Sequence, residues 1–127
     1  MTRHDCQIFV VDDDDAVRDS LCLMLRTSYQ NVIGYASGPE FLSGHQLRQR
    51  NCLIIDIHMP EMTGIDVIDR LAELHVRIPA ILMTGRIDST LRAQALESGA
   101  YVLLDKPIEF DELTSAIDGA FATSRLH

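Results

Sequence analysis

Acidic, hydroxyl and ammonium side chains follow separate apolar runs in this chain, each at the point where a run stops. These residues are Asp12, Asp13, Asp56, Thr84 and Lys106. Carboxylates are ligands for hard cations, and a single carboxylate can also act as a nucleophile. Each residue alone has an ordinary structural interpretation as a helix cap, a turn residue, a core hydroxyl or a solvated tip. Together, around one carboxylate, they would form an arrangement for phosphoryl transfer.

Lys106 is the single lysine among the 11 basic residues. An ammonium group suits one phosphoryl oxygen, whereas arginine favours a bidentate partner. Three carboxylates gathered within about 5 Å repel one another by roughly 3 kcal/mol per pair at an effective dielectric of about 20, so such a site needs a cation. Few oxygen ligands with room for water favour Mg²⁺, with Mn²⁺ possible, over zinc.

Five short apolar runs alternate with amphipathic segments and predict the elements that position these residues. The predicted strands are 8–11, 32–36, 53–55, 80–83 and 102–104, and the predicted helices are 17–25, 41–47, 65–72, 91–96 and 110–121. The third helix uses either Leu71 or Ala72, and residues 1–6 and 124–127 are expected to be loose ends. The alternation predicts an α/β fold with a doubly wound, five-stranded parallel sheet. The carboxyl ends of parallel strands share one edge, where ligands bind, so the polar residues should meet there.

Composition limits the function classes. The 127 residues predict one domain, 1–127, and a net charge of -8 argues against direct nucleic-acid binding. No apolar run approaches the roughly 20 residues needed to span a bilayer, and the start lacks a signal-peptide hydrophobic region. Cys6, Cys22 and Cys52 lack metal or redox spacing, and the last two are predicted to be core residues in a reducing cytosol. These features predict a soluble, cytoplasmic protein.

Taken in order, the motifs resemble the receiver domains of bacterial two-component response regulators over nearly the whole chain. They are Asp12-Asp13, Asp56 followed by Met59-Pro60 and Met62-x-Gly64, Thr84-Gly85, Gly99-Ala100 and Lys106-Pro107. The segment 17–21 is similar to the subset whose full-length members carry a C-terminal helix-turn-helix DNA-binding domain.

The resemblance implies a flavodoxin-like (βα)5 fold in which Asp56 accepts a phosphoryl group from a sensor histidine kinase. It implies that Asp13, Asp56 and the backbone carbonyl of His58 hold Mg²⁺, with Asp12 acting mainly through water. Lys106 would pair with Asp56 and then with the phosphate, and Thr84 would move to hydrogen-bond the phosphate. The Lys106–Pro107 peptide bond is expected to be cis.

The same resemblance implies a switch rather than an enzyme, since such a domain assists only its own phosphorylation and dephosphorylation. Phosphorylation would bias the surface formed by the fourth helix, fifth strand and fifth helix, and so control dimerisation or an effector. Contact with DNA would come only through an effector domain absent from this chain, and no membrane partner is expected.

Two local features leave alternatives open. The family usually has an aromatic residue where this chain has Leu103; Tyr101, two residues earlier, either substitutes for it or is an exposed contact on an interaction surface. His58 and Arg86 lie two residues past Asp56 and Thr84, and either alter the lifetime of the phosphoaspartate or are merely solvated loop residues.

Two rival functions also fit parts of the sequence. One is a phosphatase resembling the haloacid dehalogenase class, since Asp12-x-Asp14 follows a strand, although Ala16 and the lack of a late acidic pair depart from that pattern. The other is a receiver-shaped interaction module without phosphorylation.

Overall fold

The computed structural model describes residues 6–85 and 89–124. Five strands alternate with five helices in this part of the chain. The strands are β1 (Cys6–Val11), β2 (Asn31–Tyr35), β3 (Arg50–Asp56), β4 (Ala80–Thr84) and β5 (Val102–Asp105). The helices are α1 (Asp15–Leu25), α2 (Gly38–Gly44), α3 (Gly64–Glu73), α4 (Ser89–Glu97) and α5 (Phe110–Ser124). No helix within the described ranges is long and apolar enough to span a bilayer.

The strands form one parallel sheet in the order β2-β1-β3-β4-β5. The predicted α/β class and doubly wound parallel sheet are therefore confirmed. The apolar runs of β1, β3 and β4 are buried because both faces of the sheet are covered, whereas the edge strands β2 and β5 are partly exposed. One core layer contains Ile8, Ile54 and Ile117, between the sheet and α1 and α5. The other contains Phe9 and Leu53, between the sheet and the helices α2, α3 and α4.

The three cysteines are free and buried. Cys22 and Cys52 lie in the predicted core, and burial raises the pKa of both thiols. Cys6 was expected in a loose end, but it begins β1 and pairs in register with Arg50. Ser124 likewise ends α5. The remainder of the expected loose ends, 1–5 and 125–127, lies outside the described residues.

Three helix predictions need detail or correction. The second helix ends at Gly44, so Leu47 lies beyond it and is exposed, because the chain leaves the helix in extended backbone at His45. In α3 the buried residue is Leu71 and Ala72 is exposed, which decides between the two alternatives. In α4 the predicted apolar face is wrong at Leu96, which is 72% exposed, whereas Ala95 is buried.

Candidate functional site

Three carboxylates meet at the carboxyl edge of the sheet. Asp12 follows β1 directly, Asp13 comes next, and Asp56 is the last residue of β3, the strand beside β1. One oxygen from each lies within 4.8 Å of the others. Asp12 and Asp56 are buried, while Asp13 is exposed to solvent. The arrangement therefore holds two carboxylates inside the fold and a third at its surface.

Lys106 reaches this cluster from the end of β5. Its Nζ lies 3.3 Å from Oδ2 of Asp12 and 3.5 Å from Oδ2 of Asp56. The Lys106 amide donates to the carbonyl of Thr84 at 2.8 Å, which fixes the backbone beside β4, and the Lys106–Pro107 bond is cis as expected. The predicted proximity of Lys106 and Asp56 is present, and Asp12 shares the ammonium.

One ammonium does not fully offset two buried carboxylates. Burial raises the pKa of Asp56, the Lys106 charge opposes that rise, and the Asp12 charge adds to it, so the net pKa lies above its usual value. Burial would lower the pKa of Lys106, but the charges of Asp56 and Asp12 prevail and raise it. The negative charge of Asp56 is thus disfavoured in the folded protein.

The turn after β1 is held by hydrogen bonds around Asp12. Its Oδ1 accepts from the Asp14 amide at 3.0 Å, and its carbonyl accepts from Nη1 of Arg18 at 2.9 Å. The second terminal nitrogen of Arg18 pairs with Asp15 at 2.6 Å. Arg18 was not singled out from the sequence, since nothing in its spacing distinguishes it from other helix-surface arginines.

Asp14 has a structural role that weakens the phosphatase alternative. Its side chain accepts from the amide of Val17 at 3.1 Å and caps the first turn of α1. The Asp12-x-Asp14 pair required by that alternative is therefore not gathered at one point. Asp12 has Asp13, Asp56 and Lys106 as its neighbours instead.

Thr84 is fully buried at the end of β4 and contacts His58. The Thr84 Oγ1 and His58 Nε2 lie 3.1 Å apart, within hydrogen-bond distance. The His58 amide also donates to Oδ1 of Asp56 at 3.4 Å. Sequence reasoning had marked His58 as a neighbour of Asp56 but missed its contact with Thr84. Arg86, its partner in that hypothesis, lies outside the described residues.

Gly64 allows the chain to turn tightly between β3 and α3. A Cβ at Gly64 would come within 2.6 Å of the Asp56 carbonyl oxygen, so a larger residue would push β3 and α3 apart. The Gly64 amide donates to Ile57 at 3.1 Å, and Thr63 begins α3 with a reciprocal capping box with Asp66. The Met62-x-Gly64 motif thus positions the backbone behind Asp56.

Tyr101 lies far along the sheet from Thr84. Its amide donates to the carbonyl of Ala80, the first residue of β4, whereas Thr84 is the last. The Tyr101 ring lies over Gly119 of α5. Leu103, in the position usually aromatic, pairs in register with Leu82. Tyr101 therefore does not contact Thr84, and with 43% of its surface exposed it matches the alternative of an exposed contact residue.

The donor set suits a hard divalent cation. The three carboxylates supply oxygen only, one of them faces solvent, and metal-bound water could complete the coordination. Zinc sites in proteins use mainly histidine nitrogen and cysteine sulfur, and the cluster contains neither. The cluster fits the Mg²⁺ or Mn²⁺ expected from the sequence better than it fits zinc.

Comparisons with known proteins agree with this fold. Residues 8–118 match the family model of the response regulator receiver domain. The chain is 36% identical over 117 residues to the response regulator protein TmoT of Ectopseudomonas mendocina, covering 92% of this chain and 53% of TmoT. It is 34% identical over 113 residues to the transcriptional regulatory protein FixJ of Bradyrhizobium diazoefficiens, covering 89% of this chain and 55% of FixJ.

The solved structure of FixJ-N superimposes with a TM-score of 0.86 at 32% identity, covering 94% of this chain and 95% of that one. The fold and its acidic edge define an α/β module of the receiver type. The chain belongs to the response regulator receiver domain family. It spans about half the length of the curated relatives that it matches.

Proposed function

We propose that this domain is the phosphoacceptor of a two-component signalling system, with Asp56 as the phosphorylated residue. One observation supports this most directly. The Lys106 ammonium lies between the Asp12 and Asp56 carboxylates, at the edge where a third carboxylate, Asp13, is open to solvent. Membership of the receiver family also supports the proposal.

In the proposed reaction an Asp56 carboxylate oxygen attacks the phosphorus of a phosphohistidine on a sensor histidine kinase. The new O–P bond forms as the N–P bond breaks, and the departing imidazole takes up a proton from solvent. Lys106 then holds one phosphoryl oxygen, which its position 3.5 Å from Asp56 supports. Thr84 follows by donating its hydroxyl to another oxygen.

The divalent ion is proposed to be Mg²⁺, with Mn²⁺ as a substitute, held by Asp13, Asp56 and the backbone carbonyl of His58. Asp12 acts on it mainly through water. When bound, the ion supplies charge that neutralises the phosphoryl oxygens. The clustered carboxylates and the raised pKa of Asp56 support a cation at this place.

The output is proposed to be a change in the surface of α4, β5 and α5. Within α4 the side chain of Ala95 is buried while Leu96 is exposed, so this helix has little apolar anchoring. A movement of Thr84 and Lys106 toward the phosphate would bias the position of this surface and control dimerisation or an effector.

The relatives support the proposed partners. TmoT is a response regulator and FixJ a transcriptional regulator, and this chain matches about half of each. We infer that the domain acts in the cytoplasm with a sensor histidine kinase. DNA would be contacted through an effector domain rather than through this domain, whose net charge is -8.

The test is incubation of the purified protein with acetyl phosphate and Mg²⁺, followed by intact-mass analysis and peptide mapping. We expect one phosphoryl group on Asp56, no labelling of Asp56→Asn, and loss of labelling in EDTA. A size-exclusion run before and after labelling reports dimerisation. Steady release of phosphate with label on Asp12 would favour the phosphatase, and an unlabelled folded protein would favour the interaction module.

A further inference from the structure

His58 has contacts with two groups of the candidate site. Its amide donates to Oδ1 of Asp56, and its imidazole Nε2 lies 3.1 Å from the Thr84 hydroxyl oxygen. These contacts come from different parts of one residue, because the amide belongs to the turn after β3 and the ring reaches across to the end of β4. His58 therefore connects the two strands whose ends hold Asp56 and Thr84.

The bond to the ring has a chemical consequence for Thr84. Either the hydroxyl donates to the ring nitrogen or it accepts from the ring N–H, and in both cases the bond holds the Thr84 oxygen near the imidazole. Thr84 is fully buried, so rotation of its hydroxyl exchanges one protein partner for another more readily than for bulk water. His58 is exposed to solvent, whereas Thr84 is buried.

We propose that His58 is a positioning residue that holds the Thr84 hydroxyl in the unphosphorylated state and thereby weakens the affinity of the site for a phosphoryl group. This inference rests on the proposed function, in which Thr84 turns to the phosphate. The hydrogen bond must break during that turn, so its free energy opposes phosphorylation. Only the backbone carbonyl of His58 is proposed to hold Mg²⁺, so a side-chain replacement retains that ligand atom.

The test uses beryllium trifluoride with saturating Mg²⁺ as a phosphoryl analogue, at one fixed pH, with binding followed through the Thr84 amide signal in nitrogen–proton NMR spectra. His58→Phe keeps a ring without a hydrogen-bonding atom, and His58→Leu is a second variant lacking the bond. His58→Gln is the matched control, because its terminal amide can reach the Thr84 hydroxyl. Mg²⁺ affinity without beryllium trifluoride is measured for every variant.

We expect His58→Phe and His58→Leu to bind beryllium trifluoride about three- to tenfold more tightly than the native protein, the change that one net hydrogen bond produces. His58→Gln should restore the native affinity, and Mg²⁺ affinity should be the same in all four proteins. A merely structural role would not produce rescue by Gln.

Unchanged or weaker binding of the analogue by the Phe and Leu variants would overturn the inference. If the native protein still binds the analogue, the proposed function is not affected by that result. A parallel fall in Mg²⁺ affinity would also overturn it, since the side chain would then act on the cation. Failure of the native protein to bind the analogue, together with no labelling of Asp56 by acetyl phosphate, would instead refute the proposed function and the inference with it.

Discussion

Buried polar side chains lie at both edges of the sheet: amides at the amino edge, and two carboxylates with the Thr84 hydroxyl at the carboxyl edge. At the amino edge Gln7 donates to the Gln46 carbonyl and accepts from Arg48, and Asn51 makes two bonds to the Arg48 backbone. At the carboxyl edge two buried carboxylates share one ammonium. Each neutral amide at one edge is hydrogen-bonded at both its oxygen and its nitrogen, while the two carboxylates at the other edge share one positive charge.

The two edges differ in what their polar groups contribute: the amides stabilise the fold, and the carboxylates are available for cation binding or reaction. A neutral amide with both ends hydrogen-bonded stabilises a strand end and leaves nothing for a ligand. Carboxylates whose repulsion is only partly offset weaken the fold but bind a cation or react. Substitutions at the amino edge should therefore change unfolding without changing phosphorylation, and substitutions at the carboxyl edge should change both, in directions that depend on pH and Mg²⁺.

The largest effect is expected at the amino edge, for Asn51→Leu. The substitution leaves the Arg48 amide and carbonyl without the partners they have at 3.0 and 2.9 Å. We expect a loss of about 2–3 kcal/mol in the free energy of unfolding, measured with urea, because both bonds are made by the buried Asn51 side chain. Asn51→Asp, which keeps the acceptor, is the matched control. A slower phosphorylation by acetyl phosphate in the folded variant would contradict the separation of the two edges.

At the carboxyl edge, Lys106→Met removes the shared ammonium. Asp12 and Asp56 then repel each other without compensation, and we expect a loss of about 1–2 kcal/mol at pH 7 in EDTA, less than for a fully buried pair because Lys106 is partly exposed. The loss should shrink as pH falls toward 3.8 and below, because Asp56, whose pKa is raised above that ordinary value, becomes protonated. The pKa of Lys106 is raised in the fold, so its charge stabilises the native protein fully below pH 10.5, the ordinary pKa of lysine, and ceases to do so above the folded pKa. The stability difference between Lys106→Met and the native protein should therefore also shrink well above pH 10.5.

Urea titrations of the native protein and Lys106→Met at several pH values check this prediction. Lys106→Arg is the matched variant that keeps the charge. An equal loss at pH 3 and pH 7 would mean that Lys106 acts through packing rather than charge.

Asp56→Asn should stabilise the domain, whereas Lys106→Met should destabilise it. The pKa of Asp56 is raised in the fold above its ordinary 3.8, so its ionisation costs folding free energy as pH rises through the folded pKa. In EDTA at pH 7 we expect the free energy of unfolding of the Asn variant to exceed that of the native protein by about 1 kcal/mol, so the variant unfolds at a higher urea concentration. Below pH 3.8 both side chains are neutral and the difference should vanish.

Mg²⁺ should reduce the difference in free energy of unfolding between Asp56→Asn and the native protein at pH 7, because a ligand that binds the native site stabilises the folded protein by mass action. Asp69→Asn, on the exposed side of α3, is the control and should show no such dependence. Destabilisation by Asp56→Asn in EDTA would show that Lys106 overcompensates the two carboxylates, and would remove the contrast between the edges.

Particular residues show what the sequence could and could not predict. The strands were found because their residues are apolar on both faces, and the carboxyl edge followed from parallel pairing. Gln7 was not expected in a strand, because its burial depends on partners about 40 residues away, Gln46 and Arg48. The contact of His58 with Thr84 also depends on a crossover and has no periodic signal. Leu96 was misplaced because a short apolar pattern cannot define which face of a helix is covered.

The smallest effect is expected at the amino edge, where the Tyr101 ring lies over Gly119 in the middle of α5. A Cβ at Gly119 would collide with the Tyr101 hydroxyl end, so Gly119→Ala must displace that ring. The displacement opposes the gain in helix propensity of about 1 kcal/mol that alanine normally brings over glycine, and we expect a net change close to zero.

In a Tyr101→Ala background the collision is absent, and Gly119→Ala should then stabilise the domain by about 0.5–1 kcal/mol. Urea unfolding of the four proteins measures the coupling, and labelling of Asp56 by acetyl phosphate should be unchanged in all of them. Additive effects would show that the ring moves freely over α5, and altered labelling would show that the two edges of the sheet are coupled after all.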